Sequence, residues 1–128
     1  MTVQEMRDAI STMCDVDPEM RNIFAHLNRT PNWPVDEIFR QMVLIEELKK
    51  RMKEDVVNFT FTKKDGSNRT AFGTRASDVI VRHEGAAVPP ESHRNGATGT
   101  FPYFDIERQA WRSFRVGYLS GINRGYTV

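Results

Sequence analysis

The sequence predicts an α+β fold in which two short helices and one long one pack on a small five-stranded antiparallel β-barrel. Three observations predict it. Apolar residues recur every three or four positions up to about residue 53 and alternate from Val56 onward, so the period switches once, from helical to extended. Turn residues cut the alternating half into short runs, as in a small all-β module. Five short strands left as a flat sheet would present unpaired edges, and a closed or nearly closed barrel is the economical way to remove them.

Met6, Ala9, Ile10 and Met13 share one face, which predicts a short amphipathic helix over residues 4–14. Asp17-Pro18-Glu19 is a helix start: the Asp17 carboxylate can accept from orphan amides, and Pro18 gives up an N–H that has no partner in the first turn. Met20, Ile23, Phe24 and Leu27 form the apolar face of this second helix, which the two prolines of residues 28–34 break. The third helix spans residues 34–53, with Val35, Ile38, Phe39, Met42, Ile45, Leu48 and Met52 as its stripe. Glu46 with Lys50 and Glu47 with Arg51 are acid-then-base pairs four apart. Lys49-Lys50-Arg51 places positive charge at the helix C-terminus, where the dipole favours it. The stripe has two uses. It is either the core face that covers the sheet or, through Ile38, Met42, Ile45 and Met52, a seam for a homodimer or a host protein.

In the second half, Val57, Phe59 and Phe61 alternate with Asn58, Thr60 and Thr62, and Lys63-Lys64-Asp65-Gly66-Ser67 supplies a hairpin turn. Residues 69–74 return, and the β-branched run at residues 78–83 reads as a third strand. Residues 84–99 lack periodicity and read as a long loop. Residues 100–105 and 111–116 are the last two strands, joined through residues 106–109. The helical region is thus 1–55, the barrel 56–122, and 123–128 a flexible tail.

Composition narrows the function classes. With 39% hydrophobic and 27% charged residues the chain is an ordinary globular one, with no apolar run of membrane-spanning length. The N-terminus carries acids where a signal peptide has a basic start, which predicts a soluble cytoplasmic protein. The single cysteine, Cys14, reads as a half-buried helix residue. His26, His83 and His93 are scattered, so no metal site and no cofactor are expected. The net charge of +1 conceals an asymmetry: residues 1–55 hold 8 basic and 11 acidic side chains, and residues 56–128 hold 10 basic, 8 of them arginine, and 6 acidic. Arginine suits bidentate contact with phosphate, so the β half either faces an anionic partner or is a solvated surface with ordinary ion pairs. Asp105 and Glu107 are the one compact carboxylate pair of that half, and beside a turn they read as hairpin caps. Ser92-His93 lacks an orienting acid. No enzyme is expected.

The terminal strand is the strongest constellation. Trp111, Ser113 and Arg115 fall on one face and Arg112, Phe114 and Val116 on the other. An aromatic plate beside a guanidinium suits a base stacked next to a phosphate. The alternative is that Trp111 covers the barrel end while Arg115 pairs with Asp105 or Glu107. Lys63, Lys64, Arg69 and Arg75 extend the candidate ligand-binding set, together with Trp111, Arg112 and Arg115.

Two segments together, Phe59-Thr-Phe-Thr-Lys-Lys-Asp-Gly-Ser-Asn-Arg-Thr70 and Tyr103-Phe-Asp-Ile-Glu-Arg-Gln-Ala-Trp-Arg-Ser-Phe-Arg-Val116, resemble a family of WYL-like domains found in tailed bacteriophages and bacteria. The resemblance covers about residues 56–119. It implies an Sm-like, Src-homology-3-like barrel and a ligand-sensing or nucleic-acid-binding module, although the Trp-Tyr-Leu triplet of the wider class is absent. The function expected is therefore a non-enzymatic phage or bacterial accessory protein whose barrel binds nucleic acid or a nucleotide-like anion. The alternative is an adaptor or inhibitor that docks on a host factor through helix 34–53.

Overall fold

A computed structural model describes residues 1–29, 32–84 and 99–123. Three helices come first: α1 (Val3–Val16), α2 (Pro18–Asn28) and α3 (Val35–Met52). Strands β1 (Val57–Thr62) and β2 (Asn68–Thr74), helix α4 (Ser77–Glu84), and strands β3 (Thr100–Asp105), β4 (Ala110–Arg115) and β5 (Leu119–Ile122) follow. The fold is α+β, as expected. Helix α1 starts with a capping box: the Thr2 hydroxyl accepts from the Glu5 amide at 3.1 Å, and the Glu5 carboxylate accepts from the Thr2 amide at 2.9 Å. Asp17 caps α2 through the Glu19 amide at 3.0 Å. Its carboxylate also takes Lys49 Nζ at 2.7 Å, so one residue starts α2 and ties it to α3.

One apolar cluster joins the helices to the sheet. Ile10, Met20, Ile23, Leu27, Met42, Ile45, Leu48 and Met52 share it with Phe59, Phe101, Tyr103, Phe114 and Leu119. The stripe of α3 is consumed here: Met42, Ile45 and Met52 are fully buried and Ile38 nearly so. None of these four side chains is left on the surface for a dimer seam or a host factor.

The sheet order is β4-β3-β2-β1-β5, antiparallel throughout. Strands in a sheet lie about 4.8 Å apart, so β1 and β4 would be roughly 14 Å apart if it were flat. Phe114 of β4 nevertheless stacks on Phe61 of β1 with ring centroids 5.4 Å apart and meets Phe59 at 5.7 Å. The sheet is therefore curled into a barrel around these rings. It is not closed: among the described residues no ladder joins β4 to β5, and the ladder between β2 and β3 pairs only Gly73 with Asp105 and Thr74 with Phe104. The closed or nearly closed barrel expected from edge avoidance is thus an open one, its aromatic filling standing in for a final ladder.

Two elements differ from the sequence expectation. Residues 78–83 belong to a helix, not a third strand. Ala76, Val79 and Ile80 are buried while Val81 is 43% exposed, a spacing that suits a helix and not a strand. The β-branched preference for strand is worth only tenths of a kcal/mol per residue, and burial overrides it. The fifth strand is instead Leu119–Ile122, on the open edge of β1. Buried Gln41 of α3 fixes it: its Nε2 donates to the Leu119 carbonyl at 3.0 Å and its Oε1 accepts from the Leu119 amide at 3.3 Å. Asn123, expected in a free tail, is anchored to Asn58 by a backbone bond of 2.9 Å and a side-chain bond of 2.6 Å. Residues 85–98 of the expected loop and 124–128 of the tail lie outside the described residues.

The hairpin turn is as expected, with Gly66 at φ +88° and the Lys63 amide donating to Ser67 at 2.8 Å. Gly117 carries a stricter requirement. Its φ is +93°, and a Cβ there would lie 2.9 Å from the Trp33 ring and 3.0 Å from Leu27. Gly117→Ala should therefore cost about 2 kcal/mol from backbone strain, with the crowding added. A urea unfolding midpoint equal to that of the parent protein would contradict this.

Candidate anion-binding groove

A groove of about 640 Å³ runs between the β1–β2 hairpin tip and the edge strand β4. Consecutive residues from Trp111 to Arg115 line it, which is possible because among the described residues no strand pairs with β4 on that side and both its faces border the opening. Six lining side chains are basic: Lys63, Lys64, Arg69, Arg108, Arg112 and Arg115. None of the described lining residues is acidic. Trp111 supplies part-exposed aromatic surface, and the buried rings of Phe61, Tyr103 and Phe114 lie beneath the groove as its floor.

Six of the seven residues singled out in the sequence meet at this one groove: Lys63, Lys64, Arg69, Trp111, Arg112 and Arg115. Lys63, Lys64 and Arg112 are exposed, while Arg69, Trp111 and Arg115 are half-buried. Arg115 pairs with neither Asp105 nor Glu107. Its guanidinium lies over the Tyr118 ring, 3.9 Å from the centroid, an arrangement that holds the fork in place while its outer face stays available. Trp111 meets Phe104 edge-on at 6.0 Å.

Arg75 lies elsewhere. Its side chain is 6% exposed, with Nη1 and Nη2 donating to the two Glu19 oxygens at 2.7 and 2.8 Å and Nε donating to the Pro102 carbonyl at 2.9 Å. Its guanidinium also covers Phe101 at 3.8 Å. It is a buried clamp between α2 and the sheet and has no surface to offer a ligand. Arg108 is the member that strand periodicity misses. It sits in the β3–β4 turn, and its place three residues after a capping Asp105 is the signal that could have found it.

The acids of the region are committed to structure. Asp105 is fully buried; its Oδ2 accepts from Arg69 Nη2 at 2.7 Å and its Oδ1 from the Arg108 amide at 3.0 Å. The carboxylate therefore caps the turn and holds Arg69, and is in no position to act as an acid or base on a ligand. Burial pushes the Tyr103 hydroxyl up to about 12 despite the Arg69 and Arg112 guanidinium groups, so it keeps its proton. Cys14 is half-buried, with its thiol raised chiefly by burial, far from an activated nucleophile. Among the described residues no cluster of His, Cys, Asp and Glu could hold a metal, and no helix is long and apolar enough to cross a membrane.

The geometry offers positive charge and an aromatic edge in an open groove, with no carboxylate among the described lining residues. Comparison with known proteins agrees with the fold. A protein of Enterobacteria phage T4, described as an uncharacterized 11.5 kDa protein in the Gp31-cd intergenic region, is 38% identical over 84 residues, covering 65% of this chain and 81% of its own. No solved structure matches the chain. The WYL_2 family model, described as an Sm-like SH3 beta-barrel fold, matches residues 45–119. The match opens inside α3, earlier than the boundary near residue 56 that the change of period suggests, and so takes in Ile45, Leu48 and Met52, which share the core cluster with the sheet. With more than half its length matched, the chain belongs to the WYL_2 family of Sm-like SH3 beta-barrel proteins.

Proposed function

We propose that this protein is a non-enzymatic, phage-related accessory protein whose groove binds a nucleotide-containing anion. The observation that carries the reading is the groove itself, where six cationic side chains and four aromatic ones converge with no carboxylate among the described lining residues. A ligand of one sign is favoured there, and the low-dielectric aromatic walls focus the field toward the opening. Lys63, Lys64 and Arg112 suit phosphate oxygens, since they are exposed and free to adjust. Arg115, held on Tyr118, and Trp111 offer planar surfaces for a base. The engagement of Asp105 by Arg69 and by the Arg108 amide supports binding without turnover. The docking alternative loses its basis, because the α3 stripe it needs is buried within the chain.

Anisotropy titrations with labelled single-stranded DNA and RNA, and calorimetry with linear and cyclic nucleotides, test this. Binding is expected at low ionic strength. If about four of the six cations engage phosphates of a single strand, affinity should fall roughly fifty-fold between about 50 and about 200 mM salt. Arg112→Gln and Arg115→Gln should each weaken binding roughly tenfold, the loss of one charged hydrogen bond worth about 1.5 kcal/mol, while leaving the circular dichroism spectrum intact. Absence of binding to every probe at low salt overturns the proposal.

A further inference from the structure

We infer that the groove continues into a second aromatic subsite built by the helical layer, and that the occupant of both is a single-stranded oligonucleotide, not a mononucleotide. This rests on the anion-binding reading above and adds to it. A cavity of about 320 Å³ adjoins the groove and shares Lys64, Thr100 and Arg115 with it. His26, Trp33 and Tyr118 line its far side, and it too has no acidic residue among those described. His26 and Trp33 precede the residues that the family model matches, so this subsite is an addition of the helical region to the shared barrel.

The aromatic groups are held firmly. Tyr118 lies under the Arg115 guanidinium and meets Trp33 edge-on at 6.1 Å, nearly perpendicular at 86°. Trp33 in turn packs against the backbone at Gly117, so closely that a Cβ there would overlap its ring. The order along the protein is therefore Trp111, then the Arg115 and Tyr118 stack with Lys64 beside it, then Trp33. From Trp111 to Arg115 alone the strand runs about 13 Å, four residues at roughly 3.3 Å each. The rise between stacked bases is about 3.4 Å, so one base cannot serve both ends. Two aromatic stations with cations between them match a chain of alternating bases and phosphates. An acidic peptide would satisfy the cations and leave the aromatic faces without planar partners.

The chain has two tryptophans, one at each station. Trp33→Phe leaves Trp111 as the reporter, and Trp111→Phe leaves Trp33. Each variant is titrated at low salt with thymidine monophosphate, a thymidylate octamer and a glutamate octapeptide. The octamer is expected to bind the parent protein at least about tenfold more tightly than the monophosphate. At saturation it should quench both reporters, whereas the monophosphate quenches Trp111 alone. Lys64→Gln, which removes a cation shared by the groove and the second cavity, should weaken the octamer about tenfold. Equal affinity for monophosphate and octamer overturns the inference. So does a saturated octamer complex in which Trp33 emission is unmoved while Trp111 is quenched, a result that leaves the groove itself standing. A glutamate peptide that binds as well as the octamer and quenches both reporters overturns it as well. Failure of all three probes removes the groove reading and this inference together.

Discussion

Arg75→Met is expected to lower stability by about 3 to 5 kcal/mol, because it strands the buried Glu19 carboxylate without its bidentate partner. Both side chains are almost inaccessible, with exposures of 6% for Arg75 and 7% for Glu19. Lys49 Nζ also reaches Glu19 at 2.9 Å, but it is partly solvated and shared with Asp17, so it compensates only in part. Glu19→Leu combined with Arg75→Met should recover most of the loss, since two apolar groups in place of a buried pair leave no charge to solvate. Urea unfolding of the two variants checks this, and an unchanged midpoint for the single variant would show that the clamp contributes nothing. Anion binding by folded Arg75→Met should equal that of the parent protein.

The same clamp predicts acid sensitivity. Burial pulls the Glu19 carboxyl upward, but the Arg75 and Lys49 hydrogen bonds and charges outweigh it and hold the group at about 2, against an ordinary 4.5. A folded-state value below the unfolded one means that the stabilisation is complete above about pH 4.5 and is lost as the pH falls toward 2. Its size is on the order of 3 kcal/mol. Thermal unfolding followed across this window should show a decline in the parent protein that is much smaller in the Glu19→Leu, Arg75→Met double variant.

Phe114→Ala should cost a further about 3 to 5 kcal/mol in its own right. Phe114 is 3% exposed and touches the rings of Phe59, Phe61, Phe101 and Tyr103 at centroid distances between 5.3 and 6.3 Å. It links β4 to β1 across the interior in a barrel that no ladder closes among the described residues. Truncation therefore leaves a cavity and also releases the edge strand that carries Trp111, Arg112 and Arg115. Loss of groove binding should accompany loss of stability, unlike Arg115→Gln, which should lose binding alone. A Phe114→Ala protein with parental stability would mean that the sheet is held in its curl by other contacts.

Much of this fold was legible because its signals are local. The Asp17-Pro18 helix start, the Asp65-Gly66 turn and the alternation of β1 and β4 depend on bonds within a few residues, so the chain announces them wherever it is read. The two misassigned elements depend on distant partners. Residues 78–83 carry β-branched side chains that suit a strand, and burial at positions 76, 79 and 80 turns them helical. Leu119–Ile122 has no alternation to show; it becomes a strand because β1 offers an unpaired edge and Gln41, 78 residues away, satisfies the backbone of Leu119.

The candidate site divides the same way. By itself the sequence determined that the β half carries the surplus arginine and that its last long strand sets Trp111 and Arg115 on one face. Only the tertiary structure decided that the hairpin tip, the turn at Arg108 and the edge of β4 border one groove, that Trp33 of the helical layer lies beyond it, and that Arg75 is spent on Glu19. The physical reason is that periodicity specifies which way a side chain leaves its own strand. The curl of the sheet, fixed by rings meeting across its interior, decides which of those side chains meet and whether a charge ends facing water or a buried partner.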